Sequence, residues 1–150
     1  MTILGQIDEA YSVRSWHGTN LKGSLRALAP DVASWRPGPG RHNIHELVVH
    51  AAYWKYAVRR RLEGDARGSF GEKGSNWFPR EGAGATLLRA DIALLGREHT
   101  RLRAAILGLK DSDLRRRSGR GTVGFLLRGI AAHDLYHAGQ IQLLKRLCPY

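Results

Sequence analysis

The residues of this chain best suited to chemistry are two histidines four apart, His133 and His137, within Ala131-Ala132-His133-Asp134-Leu135-Tyr136-His137-Ala138-Gly139-Gln140. On a helix that spacing sets one imidazole a turn above the other on the same face, so both can reach one metal ion. A third histidine, His50, lies upstream in another segment of helical period. Three imidazoles brought together would form a nitrogen-ligand site of the kind that holds a divalent transition metal.

The pair also matches the spacing of the zincin pattern H-E-x-x-H, with aspartate in place of glutamate. A zincin needs a third ligand, usually downstream, and a carboxylate long enough to reach the metal-bound water. Only 13 residues follow His137, and none is His, Asp or Glu. A metalloprotease is therefore excluded.

Four segments with helical period must position these side chains. The first spans about Thr2 to Leu28, with Gly18 and Gly23 weakening it and a bend expected near Trp16-His17-Gly18. Pro37-Gly38-Pro39-Gly40 breaks the chain. The second helix runs from Asn43, a good N-cap, to Leu62, and Glu46 completes a capping-box pattern. Residues 64–84 hold six glycines and Pro79 without a period, and so form a long connection, with Gly82-Ala83-Gly84 a weak hairpin signal. A third helix covers about Ala85 to Leu107, and a fourth about Thr122 to Leu147. No β-period segment exceeds four residues, and no repeat or domain boundary appears. The expected fold is all-α, one domain over residues 1–150, a four-helix bundle with a long crossover connection.

On the last helix the apolar stripe reads Leu126, Ile130, His133, His137, Ile141 and Leu144, so the histidines take positions where leucines would be expected. His50 falls between Leu47 and Trp54 on the stripe of the second helix. Three imidazoles thus point inward from two helices. Left unpaired they would cost several kcal/mol. Either a metal satisfies them together, or each bonds to a core neighbour. Asp134 points about 100° from His133 and reads as supporting or surface. Gln140 is one turn past His137 and could orient a bound water. Of the others, His99 beside Glu98 is the best candidate for a fourth ligand, His45 lies at the edge of its helix, and His42 and His17 read as solvated.

Composition bounds the rest. The 150 residues suffice for one buried core, and a hydrophobic fraction of 43% argues against disorder. No apolar run of about 18 residues is present, Asp8 and Glu9 stand where a signal peptide would be apolar, and Cys148 is alone. A cytoplasmic protein is expected, with no membrane partner. The net charge of +11 includes two tight runs, Arg59-Arg60-Arg61 and Arg115-Arg116-Arg117. Without a recognition-helix or RNA-binding signature, these read as solvated surface, and no specific nucleic-acid partner is expected.

Three stretches carry a family resemblance. They are Trp35-Arg36-Pro37, Ile44-His45-Glu46-Leu47-Val48-Val49-His50 leading to Tyr53-Trp54, and Ile130-Ala131-Ala132-His133-Asp134-Leu135-Tyr136-His137-Ala138-Gly139-Gln140-Ile141. Over nearly its whole length the chain resembles the DinB-like superfamily, which includes YfiT-like putative metal-dependent hydrolases and bacterial thiol-dependent transferases. The resemblance implies an up-down-down-up bundle, usually a homodimer, holding a divalent ion such as zinc or nickel on His50, His133 and His137. Water would complete the coordination, leaving an open position for Lewis-acid chemistry. It further implies a metal-dependent thiol S-transferase or hydrolase acting on a small molecule, with a low-molecular-weight thiol as a possible co-substrate. The alternative is a metal-binding or stress-response bundle without catalysis. His45 departs from the family pattern, which often has an aromatic residue there, and so reads as an extra polar group near the mouth. The 64–84 connection, with Phe70, Trp77 and Phe78, is placed to cover the site.

Overall fold

The structure is a computed structural model that describes residues 2–82 and 84–150, so Ala83, part of the weak hairpin signal, lies outside the described residues. Six α-helices carry the described chain: α1 Ile3–Tyr11, α2 Leu21–Ser24, α3 Pro30–Ser34, α4 Ile44–Glu63, α5 Ala85–Leu107 and α6 Val123–Leu147. A short 3-10 turn at Asp111–Arg115 and a hairpin pairing Arg117 with Thr122 lead into α6. The described residues are all-α apart from that hairpin. Among the described residues no helix is long and apolar enough to cross a membrane.

The long first helix is a correction. Helix α1 stops at Tyr11, and the chain to Asn20 is irregular, with Gly18 in the left-handed region at φ +97°. Asn20 explains the break: its Nδ2 donates to the Val13 carbonyl at 3.0 Å, while its Oδ1 accepts from Gly23 N at 2.8 Å and caps α2. A side chain that ties down both sides of a loop competes with continuous helix. Pro30, at the first position of α3, starts a further short helix that periodicity did not signal.

Helix α4 begins as expected, with Asn43 Oδ1 accepting from Glu46 N at 2.8 Å. The Glu46 carboxylate serves another purpose than a capping box. It accepts from Arg36 at 2.6 and 2.9 Å, pairs with His42 at 2.9 Å, and takes the Arg80 backbone N–H at 3.2 Å. Burial opposes its ionisation, yet these donors outweigh it and hold the carboxyl down at about 2. Glu46 thereby ties the pre-helix segment and the end of the 64–84 connection to the start of α4.

A polar layer divides the core into two apolar clusters. Along α4, the buried run Leu47, Val48, Ala51 and Ala52 gives way to Lys55 before Val58. Along α5, Leu94 and Leu95 give way to Glu98 and His99 before Leu102. Along α6, Ile130 and Ala131 give way to Asp134 and His137 before Ala138 and Ile141. Lys55 and Asp134 are both fully buried and joined by a 2.5 Å ion pair. Tyr11 closes the layer from α1, stacked on His99 at 3.6 Å and facing the Lys55 ammonium at 4.9 Å. Burial, followed by the Asp134 charge, raises its hydroxyl to about 12.

Candidate metal centre

Helices α4 and α6 bring His50, His133 and His137 together, as the stripe argument required. His50 Nε2 is 3.2 Å from His133 Nε2, which is 3.0 Å from His137 Nε2. One nitrogen from each ring lies within 4.8 Å of the others, so the group could hold a metal ion. His50 and His137 are buried, and His133 is half-buried.

The far side of each ring decides what these nitrogens can do. His50 Nδ1 lies 2.8 Å from the Asn76 carbonyl. A carbonyl only accepts, so Nδ1 carries the proton and Nε2 turns a bare lone pair inward. His137 Nδ1 lies 2.6 Å from Gln140 Oε1, which fixes the same tautomer. Gln140 thus supports a ligand ring one turn away, whereas the sequence reading gave it a bound water. His133 Nδ1 is buried with no hydrogen-bond partner among the described residues.

Electrostatics agrees with the tautomers. Burial holds His50 down at about 4 against the Asn76 bond. Burial, then the neighbouring His137, His50 and Lys55, brings His133 to about 3. Burial also lowers His137, against the Gln140 bond. All three rings are neutral near pH 7. With His50 and His137 both offering lone pairs, a proton on His133 Nε2 can serve only one of them at a time. A cation at the convergence point would satisfy all three, and three imidazole nitrogens are a donor set that suits a divalent transition metal.

Of the 64–84 connection, Asn76 and Trp77 reach the centre, whereas Phe70 and Phe78 pack against Tyr53 and each other instead. Trp77 stacks on His50 at 3.9 Å and on His42 at 3.5 Å, lying between the two rings. Asn76, in the left-handed region at φ +67°, gives its carbonyl to His50 and accepts from Trp54 Nε1 through its side chain at 2.9 Å. His137 opens on a pocket of about 330 Å³ shared with His42, Trp77, Tyr136 and Gln140. His133 opens on another of about 160 Å³, shared with Trp54, Arg61 and Phe125.

Three sequence readings need correction. His45 is fully buried, not at an edge or a mouth, and its Nε2 lies 2.6 Å from Asp91 Oδ2 on α5. Arg80 Nε and Nη2 donate to the same carboxylate at 2.7 and 3.2 Å. His99 is no fourth ligand: it stacks on Tyr11, with Nε2 3.9 Å from Asp8. Asp134 is neither surface nor a support for the ligands, since it is bound to Lys55 in the core. The buried face of α6 is centred nearer Leu127, Ala131, Asp134, Ala138 and Ile141 than the leucine-based stripe indicated, which leaves His133 at its margin. Lys55 was missed, although its place between Ala51 and Val58 on the buried side of α4 was a usable signal.

No curated protein and no solved structure matches the chain. The model of the DinB superfamily matches residues 15–141, a span that includes all three converging histidines. A match over most of the chain, together with the helical architecture and the histidine cluster within it, leads to one assignment: the chain belongs to the DinB superfamily.

Proposed function

We propose that this is a metal-dependent enzyme that transfers a low-molecular-weight thiol to a small molecule or hydrolyses one, with His50, His133 and His137 as the metal ligands. The observation that carries this reading is the pair of fixed tautomers, in which Asn76 and Gln140 hold two ligand lone pairs toward a common point. A divalent ion, zinc or nickel as the family resemblance implies, would supply Lewis acidity and lower the pKa of a bound thiol or water. The chain's own residues orient and enclose. Gln140 and the Asn76 carbonyl fix the ligand rings, Trp77 shields the His50 face, and the pockets beside His137 and His133 give a small substrate two approaches.

The up-down-down-up bundle, a homodimeric state and a cytoplasmic site of action belong to the same proposal. Protein purified without a nickel column is expected to carry about one transition-metal ion per chain, and His137→Ala to carry essentially none. Metal analysis by mass spectrometry reads both. A folded wild-type protein that neither carries nor takes up zinc or nickel rules the reading out.

A further inference from the structure

One large cleft among the described residues contains none of the three histidines. It has a volume of about 720 Å³ and lies between the C-terminal half of α4 and the connection that follows. That size suits a small organic ligand. Arg60, Arg61, Arg67 and Lys73 line it, and none of the four forms an ion pair with a carboxylate among the described residues. Glu72, on the same wall, is paired with Arg80 at 3.2 Å. Trp54, Tyr56 and Phe70 supply aromatic surface beside the cations.

The first arginine run therefore splits by role. Arg59 turns inward to Glu63 and Glu98, while Arg60 and Arg61 face the cleft. The opposite wall is held in place. The Tyr56 hydroxyl accepts from the backbone N–H of Gly68 and of Ser69, both at 3.2 Å, which fastens the segment bearing Arg67 and Phe70 to α4. Gly68 and Gly74, at φ +104° and +114°, allow the connection to curve around the cavity. Unpaired cations gathered on a concave surface concentrate positive potential there and attract an anion.

We infer that this cleft binds a small anionic molecule with a flat apolar body. Its phosphate or carboxylate groups lie against Arg61, Arg67 and Lys73, and its body against Trp54 and Phe70. Guanidinium groups match both kinds of anion through paired N–H donors. The second run, Arg115-Arg116-Arg117, does not line the cleft. Trp54 and Arg61 also wall the pocket that contains His133, so a bound molecule would lie next to the metal centre without needing it.

The test is calorimetric titration of the full chain with phenyl phosphate, phthalate and neutral benzyl alcohol, with a single-stranded RNA oligomer as competitor class. Saturable binding of phenyl phosphate or phthalate, tighter than ~1 mM and without comparable binding of benzyl alcohol, is expected. The tighter of the two anions identifies the source of the charge. Arg61→Ala with Arg67→Ala should weaken that binding about tenfold or more, and Lys73→Gln to a smaller degree. All three positions are exposed, and circular dichroism checks that the fold is kept. Binding should persist in His137→Ala, which separates this cleft from anion capture at the metal. No binding of either anion overturns the inference. So does binding that the cleft variants leave unchanged, binding abolished by His137→Ala, or RNA binding tighter than both anions.

Discussion

Two groups of buried histidines share helix α4, and they have been made harmless to the fold in opposite ways. His45 meets Asp91 through Nε2, and Arg80 completes the carboxylate's partners, while His45 Nδ1 is buried with no hydrogen-bond partner among the described residues. His50, five residues later, meets a carbonyl on one side and two other imidazoles on the other. The first arrangement commits its ring to a carboxylate that two guanidinium N–H groups also hold. The second leaves lone pairs that protein groups cannot all satisfy. Burial and residue type are nearly the same in both, so it is the chemistry of the partners that separates a structural histidine from a candidate ligand.

The strongest way to break this contrast is to remove the carboxylate. Asp91→Ala strands His45 in a buried site, leaves Arg80 only its Glu72 partner, and should cost about 3–5 kcal/mol, measured by urea unfolding. Zinc uptake by the fraction that remains folded should be unchanged. A loss of metal without loss of stability would mean that the two groups are not separate.

A smaller effect should follow from Gln140→Leu, which removes the acceptor that orients His137. Metal affinity should drop about 10–100-fold, read by chelator competition, while the unfolding free energy of metal-free protein changes little. An affinity equal to wild type would show that the tautomer of His137 is set elsewhere.

The gentlest test is pH. His50, His133 and His99 have folded values near 4, 3 and 3, below the ordinary 6.5. In acid the unfolded chain therefore binds more protons than the folded one, and stability rises with pH. Metal-free protein should be at full strength above about 6.5 and weaken steadily as the pH falls through the window toward 4 and 3. Thermal melts across that range would show it, and a flat profile would contradict the burial of the rings.

Much of this architecture was legible in the residues. The three long helices, Asn43 as a cap and the convergence of His50, His133 and His137 all follow from period and spacing. What failed depended on tertiary partners. The irregular stretch after Tyr11 is held by Asn20 reaching both ways along the chain, which no periodicity records. The role of His45 required knowing that Asp91, on another helix, lies opposite it. The Lys55–Asp134 pair was hidden because a charged residue on a buried arc reads as a defect until its partner across the interface is found. In the same way, Arg59 and Arg61 look alike in sequence and differ only in what folds against them.

Asn76 has a consequence for how such a protein can diversify. Its backbone supports a metal ligand and its side chain holds Trp54, so this one point of the 64–84 connection is pinned, in a chain geometry that tolerates few residue types. The stretch before it shapes the cationic cleft, and the stretch after it carries Trp77 and Arg80 into the core. The two stretches remain tied across it, by Glu72 on Arg80 and by Phe70 against Phe78, so a change of ligand preference before Asn76 has to keep those two contacts if the reactive centre is to stay intact.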